Sequence, residues 1–175
     1  IILAICLRAG LPPILAVIIA LLTGELCGLI TGLLVTKGDV PPFIATLGMQ
    51  SIAAGTALML TDGRPISGVS SAFVVIGSGK IFRILPVSFL IMLACFVAAA
   101  VMMNYTRMGR YFYTIGGNPE SAHLSGINIS LYKALPFIFS GMLSVIAAII
   151  VTGRLNSAEA VAGSGMELDA IAASI

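Results

Sequence analysis

Few side chains in this sequence could do chemistry, and their spacing fits no catalytic site. The single histidine, His123, has no cysteine or acidic cluster at the spacing that metal ligands require. The sequence GSGK at residues 77–80 resembles the end of a phosphate-binding loop. The pattern G-x-x-x-x-G-K-[ST] is not met, because Val74 replaces its first glycine and Ile81 follows the lysine. We therefore expect no enzyme activity, no metal and no cofactor in this chain.

Polar side chains inside apolar segments are the better candidates for function. Glu25 lies near the middle of a long apolar run, where a charged side chain costs about 2.5–3.5 kcal/mol to insert. It could take part in transport, or it could lie nearer an interface or be protonated, since that run is longer than a membrane requires. Thr46, Gln50 and Ser51 put polar groups in the middle of the next run. They could form hydrogen bonds between helices, or line a path for a solute the size of a sugar.

The composition puts these residues in a membrane. Of the 175 residues, 59% are hydrophobic and 9% are charged, against roughly 25% charged in soluble domains. Every Asp, Glu, Lys and Arg other than Glu25 lies outside four long apolar runs. The net charge of +2 is scattered, and no basic patch with interleaved aromatic residues predicts a nucleic-acid partner. The three cysteines form no C-x-x-C motif and predict no disulfide framework.

The four apolar runs predict an all-α fold, a polytopic bundle of transmembrane helices. A helix of about 20 residues crosses the roughly 30 Å of hydrocarbon in a bilayer, and each segment must satisfy its own backbone hydrogen bonds there. We expect Pro12, Pro42, Pro86 and Pro136 to stand in the first turns of these helices, where proline removes no helical hydrogen bond. The predicted complete spans are residues 11–36, 42–60, 86–104 and 134–153, with a partial span at each end, as expected for a fragment of a longer protein.

Small residues predict where two helices approach closely. Gly24, Gly28 and Gly32 recur every fourth residue and share one face of the first complete span. Such a face favours a tight seam between helices, with the lining of a pore as the alternative. The Lys and Arg residues are divided almost evenly between the two sides of the membrane, so the positive-inside rule does not orient the chain.

The polar passage at residues 104–133 contains one short helix with clear ends. Asn118 predicts an N-cap, Pro119 the first helical position and Glu120 an acid in the first turn. Gly126 can take the left-handed conformation that ends a helix. A helix of two turns at most is marginal in water, so packing must hold it. The contact could be with its own protein or with a partner outside the lipid.

Four segments resemble the permease subunits of bacterial ABC importers for ribose and other monosaccharides. The most specific is TRMGRYFYTIGGNPESAHLSGINISLYK at residues 106–133, which resembles their cytoplasmic loop. PPFIATLGM at 41–49, TDGRPI at 61–66 and AGSGMELDAIAA at 162–173 follow in the family's order. The resemblance implies that residues 1–175 are part of a transmembrane domain of about ten spans with an internal inverted repeat.

The resemblance also implies partners and an orientation. Such permeases work as homo- or heterodimers with two ATP-binding subunits and a periplasmic or extracellular solute-binding protein, in the bacterial inner membrane. Residues 37–41 and 106–133 would be cytoplasmic, and residues 61–85 and 154–167 periplasmic. ATP hydrolysis would belong to the partner subunits, reached through a coupling helix at residues 118–124. The residues implied in this coupling are Arg107, Arg110, Asn118, Pro119, Glu120, Ser121, Ala122 and Leu124.

The function expected from the sequence is a permease subunit of an ATP-driven importer for a monosaccharide or similar small polar solute, working by alternating access. One alternative is an ion- or proton-coupled secondary transporter in which Glu25 carries the proton. Another is a membrane-anchored structural or assembly subunit, which would show no solute dependence.

Overall fold

The computed structural model describes residues 1–68, 71–81 and 85–174. Among these residues, four helices are long and apolar enough to cross a membrane, which confirms the predicted all-α polytopic class. They are Pro13–Lys37, Pro42–Thr61, Val87–Tyr105 and Ile129–Leu155. In chain order the elements are α1 (Ile2–Arg8), α2 (Pro13–Lys37), α3 (Pro42–Thr61), β1 (Ile66–Ser67), α4 (Ser71–Ser78), β2 (Lys80–Ile81), β3 (Leu85–Pro86), α5 (Val87–Tyr105), α6 (Arg107–Gly117), α7 (Pro119–Leu124), α8 (Ile129–Leu155), β4 (Ser157–Ala158) and α9 (Met166–Ser174).

Proline sets the start of three of the long helices. Pro12, Pro41 and Pro86 are the residues that precede the first helical position of α2, α3 and α5. Proline suits these positions because its φ is already fixed near the helical value and it has no N–H that would need a partner. These three helices begin and end within two residues of the predicted spans.

α8 begins earlier than the sequence predicts, and the expectation that Pro136 stands in its first turn is wrong. The helix starts at Ile129 because the side-chain oxygen of Asn128 accepts a hydrogen bond from the Leu131 N–H at 3.2 Å. Pro136 therefore lies inside the helix. At 27 residues α8 is about 40 Å long, more than a bilayer requires, so its first turns belong to the polar passage.

The glycines of α2 form a seam with α8, and the two helices run antiparallel along it. A Cβ built on Gly24 would lie 2.7 Å from the carbonyl oxygen of Gly141, and one on Gly32 would lie 3.0 Å from that of Ala134. Gly28, between them, meets the α8 backbone in the same way. Side chains at these positions would therefore force the helices apart.

A second crossing joins the other half of α8 to the short helix α4. A Cβ on Gly77 would lie 2.8 Å from the carbonyl oxygen of Ile150, and one on Gly153 would lie 3.2 Å from the backbone nitrogen of Gly77. Next to this crossing, Phe73 is 2% exposed and packs in a buried cluster with side chains of α1 and α2. α8 is therefore the helix around which the described elements are assembled.

Short strands tie the ends of two spans together. β1 pairs antiparallel with β4, with Ile66 opposite Ala158 and Ser67 opposite Ser157. Because β1 follows α3 and β4 follows α8, this pairing fixes the ends of those helices side by side. It lies at the opposite end of α8 from α7. A second pair, β2 with β3, puts Lys80 opposite Pro86 just before α5.

Candidate functional site

A groove of about 470 Å³ lies between α2, α3 and α8, and its wall is mostly apolar with a few polar side chains. Gly24 and Gly28 from the seam form part of the wall, so they serve the helix contact and the groove together. Gly32 packs on α8 beyond the groove. The polar residues that line the groove are Thr31, Thr46, Gln50, Ser140 and Ser144.

The hydroxyl groups of the groove face it chiefly as acceptors. The Thr31 hydroxyl donates to the carbonyl oxygen of Cys27 at 2.8 Å, and the Thr46 hydroxyl donates to that of Phe43 at 3.0 Å. The Ser144 hydroxyl donates to its own helix at 2.8 Å in the same way. Since each hydroxyl has one proton, what remains available in these three is oxygen lone pairs. The wall therefore favours a solute that brings its own hydrogen-bond donors.

Two of the polar residues predicted for a transport path lie away from the groove. Ser51 follows Gln50 by one residue, about 100° around α3, and its hydroxyl donates to the carbonyl oxygen of Leu47 at 3.0 Å. Glu25 follows Gly24 by about the same angle on α2. Neither is among the described residues that line the groove. Of the predicted set, the structure brings together only Thr46 and Gln50.

Gln50 is the second of the predicted residues that line the groove. Gln50 lies about 12 Å along α3 from Pro42 and about 16 Å from Thr61. This position is near the middle of α3, where the sequence predicts Gln50 to lie.

The segment after β4 is shaped by turns. Ala158 is held at the end of α8 by its pairing with Ile66, and turn bonds such as Ser164 N–H to the carbonyl oxygen of Val161 (3.0 Å) lead on to α9. At the start of α9 the exposed carboxylate of Glu167 accepts a hydrogen bond from the Gly165 N–H at 2.9 Å.

The predicted helix of the polar passage is present as α7, with both ends closed by hydrogen bonds. The side-chain oxygen of Asn118 accepts from the N–H groups of Glu120 at 3.0 Å and Ser121 at 3.1 Å. At the other end Gly126 has φ +78°, and its N–H donates to the carbonyl oxygen of His123 at 2.9 Å. The Ile127 N–H donates to the carbonyl oxygen of Ala122 at 3.1 Å, which completes a Schellman motif.

α7 has one buried contact and otherwise faces outward. Ala122 is fully buried, whereas Leu124 is 85% exposed. The remaining predicted coupling residues of α7, from Asn118 to Ser121, are exposed. Ala122 therefore anchors the helix to the protein, and Leu124 is left as an apolar side chain with no cover in the described part of the chain.

α6 supports α7 and carries the two arginines of the predicted coupling set. Arg107 and Arg110 are exposed on its outer face. On its inner face Tyr111 and Phe112 pack edge-on against Tyr132 of α8, with ring centroids 4.9 Å and 6.1 Å apart. α6 and α7 thus rest on the first turns of α8, the part of that helix that extends beyond the predicted span.

Comparison with known proteins identifies the class to which this fold and groove belong. A family model described as "Branched-chain amino acid transport system / permease component" matches residues 1–175, and the chain belongs to this family. The resemblance to import permeases predicted from four short segments is confirmed.

Named relatives make the likeness more specific. The chain is 44% identical to the ribose import permease protein RbsC of Haemophilus influenzae over 167 residues, covering 93% of this chain and 51% of that protein. It is 40% identical to RbsC of Bacillus subtilis, covering 94% and 52%, and 36% identical to the D-allose transport system permease protein AlsC of Escherichia coli K12, covering 95% and 51%. The chain thus spans about half the length of these relatives. No solved structure matches it.

Proposed function

We propose that this chain is part of the permease subunit of an ATP-driven importer for a monosaccharide or a similar small polar solute. The named relatives support the solute class, since they include ribose and D-allose permeases. The groove supports it as well, because its hydroxyl acceptors match a solute rich in O–H donors.

The observation that carries the ATP-driven part of the proposal is α7. A helix of six residues is marginal in water, yet this one is capped at both ends and projects an exposed Leu124. Exposed apolar anchors on a rigid element are typical of a docking surface for another protein. We take that protein to be the ATP-binding subunit, with Arg107 and Arg110 at the edge of the contact.

The partners and the orientation follow from this assignment. Residues 104–133 face the cytoplasm of a bacterial inner membrane, and the paired strands β1 and β4 face the side on which a solute-binding protein delivers its solute. A second permease subunit completes the transport path.

The mechanism is alternating access driven through α8. α7 is joined to α8 by residues 125–128 alone, and these are held by the Schellman motif and the Asn128 cap. When the ATP-binding subunits displace α7, this short connection therefore transmits most of the displacement to α8. Because α8 contacts α2 and α4 backbone to backbone, those helices move with it as a unit. The groove between α2, α3 and α8 changes shape as α8 shifts against α3.

Leu124→Asp in the intact permease tests the docking surface. If Leu124 is buried against the ATP-binding subunit, its loss costs about 1.5–3 kcal/mol, or a roughly 10- to 100-fold weaker complex. The measurement is co-purification and titration of the ATP-binding subunits. The matched control is Leu155→Asp, an exposed leucine at the other end of α8. Equal affinity in the wild type and Leu124→Asp, or crosslinks from Glu120 and Ser121 that never reach an ATP-binding subunit, would refute the proposal.

A further inference from the structure

We propose that Phe137 is the gate between the groove and a second cavity, through which the solute leaves toward the cytoplasm. This inference rests on the proposed function, because it assigns the inner gate of that transport path to one residue. The second cavity, called here the end cavity, has a volume of about 410 Å³. The described residues that line it are Val35, Asp39, Val40, Pro41, Pro42, Lys133 and Phe137.

Phe137 lies where the two cavities meet. Of the described residues that line the groove and the end cavity, Phe137 alone belongs to both. Along α8, Lys133 of the end cavity comes about 6 Å before Phe137, and Ser144 of the groove comes about 10 Å after it. The two cavities therefore follow one another along α8, and the half-buried Phe137 separates them.

The end cavity opens at the end of the spans that carries α7. It lies where α2 ends, α3 begins and α8 has made its first turns. Asp39 and Lys133 are exposed and make its rim charged, whereas no charged residue is among the described residues that line the groove. A solute that leaves the groove at this end thus passes an aromatic residue before it reaches charged groups and water.

An aromatic residue at this point can stop a polar solute. Passing an apolar constriction costs free energy, because the hydroxyl groups of the solute lose their hydrogen bonds to water and to the groove without replacement. Hydrophobic constrictions close membrane pores in the same way, by excluding water. Phe137 can therefore hold a sugar-sized solute in the groove without binding it.

The packing of α8 indicates how the gate would open. A Cβ on Gly28 would lie 2.9 Å from the carbonyl carbon of Phe137, so the backbone at the gate belongs to the seam and moves with α2. The wall opposite includes Pro41 and Pro42 at the start of α3, whose φ angles are fixed by their rings. The proposed shift of α8 against α3 therefore changes the distance between Phe137 and this rigid wall.

Phe137→Ala tests the gate by removing its ring. The permease with its ATP-binding subunits is reconstituted in liposomes loaded with radiolabelled D-ribose and locked with a non-hydrolysable ATP analogue, the state in which the inner gate is closed. Without binding protein, efflux should rise roughly 10- to 100-fold, the factor that corresponds to carrying one hydroxyl past an apolar barrier. Phe139→Ala is the matched control. It removes the same ring two residues further along α8, from a position outside the described lining of both cavities, and should leave efflux unchanged.

Cys27 provides a second readout, because it lines the groove. In a permease in which it is the only cysteine, a charged, membrane-impermeant methanethiosulfonate is added at the cytoplasmic face of the same locked state. Phe137→Ala should accelerate labelling of Cys27, and Phe139→Ala should not. Phe137→Leu keeps most of the apolar volume and should give an intermediate rate. If Phe137→Ala does not assemble, the comparison is made between Phe137→Leu and Phe139→Leu.

A packing role and a gating role predict different results. Loss of a side chain that only packs would lower thermal stability and ATP-driven uptake while efflux and labelling stay at the wild-type level. Equal efflux and labelling in Phe137→Ala and the wild type would therefore overturn the inference. An equal rise in Phe139→Ala, or equal labelling in Phe137→Leu and Phe139→Leu, would overturn it as well.

Failure of the gate and failure of the proposed function are distinguishable. Co-purification of the ATP-binding subunits and their ATP hydrolysis are measured in the same samples. If the subunits associate and hydrolyse ATP but neither readout depends on Phe137, the gate is refuted and the permease function stands. If the subunits do not associate with the wild type, or if the reagent reaches Cys27 in Phe137→Ala only from the opposite face, the proposed coupling or orientation is refuted.

Discussion

The cap of α7 offers the sharpest test of how this chain transmits force. Replacing Asn118 by alanine removes the oxygen that accepts hydrogen bonds from Glu120 at 3.0 Å and Ser121 at 3.1 Å. Loss of such a cap costs about 1 kcal/mol, within a range of roughly 0.5–2. Asn118→Asp is the matched control, because a carboxylate caps as well as an amide and also favours the helix dipole.

The magnitude follows from the small size of the helix. About 1 kcal/mol changes the ratio of folded to unfolded α7 by roughly fivefold, since about 1.4 kcal/mol is tenfold. α7 has only six residues, so no long hydrogen-bonded ladder compensates for the lost cap. The buried Ala122 and the Schellman motif at Gly126 still hold the other end. We therefore expect local opening of α7 and no unfolding of the permease.

Hydrogen exchange of the purified permease measures this opening directly. Amides of residues 120–125 should exchange about fivefold faster in Asn118→Ala and at the wild-type rate in Asn118→Asp. Amides in the interior of α8 should be unaffected in both. In the transporter reconstituted with its ATP-binding subunits, solute transported per ATP hydrolysed should fall only in Asn118→Ala. If alanine and aspartate behave alike, or if exchange throughout α8 accelerates, the reasoning is wrong.

Two further predictions each compare a glycine that the structure requires with a glycine that faces open space. Gly28→Ala brings a Cβ to 2.9 Å from the Cα of Ile138. It should therefore lower the stability of the purified permease, measured by thermal unfolding, by about 1–3 kcal/mol. Gly48→Ala is the control, because its Cβ faces open space on α3, and it should be neutral or mildly stabilising. Equal effects would exclude the seam as the cause. Gly126→Ala forces a side chain into φ +78° and should accelerate exchange in α7 at a cost of about 1–2 kcal/mol, whereas Gly116→Ala in α6 should not. Unchanged exchange in Gly126→Ala would count against the Schellman end.

The sequence was a good guide wherever one local rule acted alone. Apolar length located α2, α3 and α5 to within two residues, because lipid allows no unpaired backbone and so leaves a helix as the only choice. Asn118, Pro119 and Gly126 located α7, because caps depend on neighbours within a few residues. The sequence predicted the start of α8 too late in the chain. Pro136 favoured a start at residue 134, whereas the side-chain cap at Asn128 begins the helix at Ile129.

The candidate groove was only partly predictable. Thr46, Gln50 and Ser51 are all polar residues in the middle of one predicted span, and the sequence does not distinguish which of them face the groove. The rotation of α3 about its axis, relative to the neighbouring helices, decides this. That rotation is set by contacts with other helices. Gly24, Gly28 and Gly32 predicted a close contact between two helices but not which helix is the partner. The structure shows that the partner is α8, with Gly141 opposite Gly24.

By itself, then, the sequence determined that this chain is a set of membrane helices with one capped helix outside the lipid. Both are consequences of hydrogen bonding and solvation along a single stretch of backbone. Only the tertiary structure decided that α8 is the common partner of α2 and α4, and that β1 pairs with β4. Both depend on packing between segments far apart in the chain. Many pairings of these segments would satisfy the same local rules, and close contact between their backbones selects one pairing.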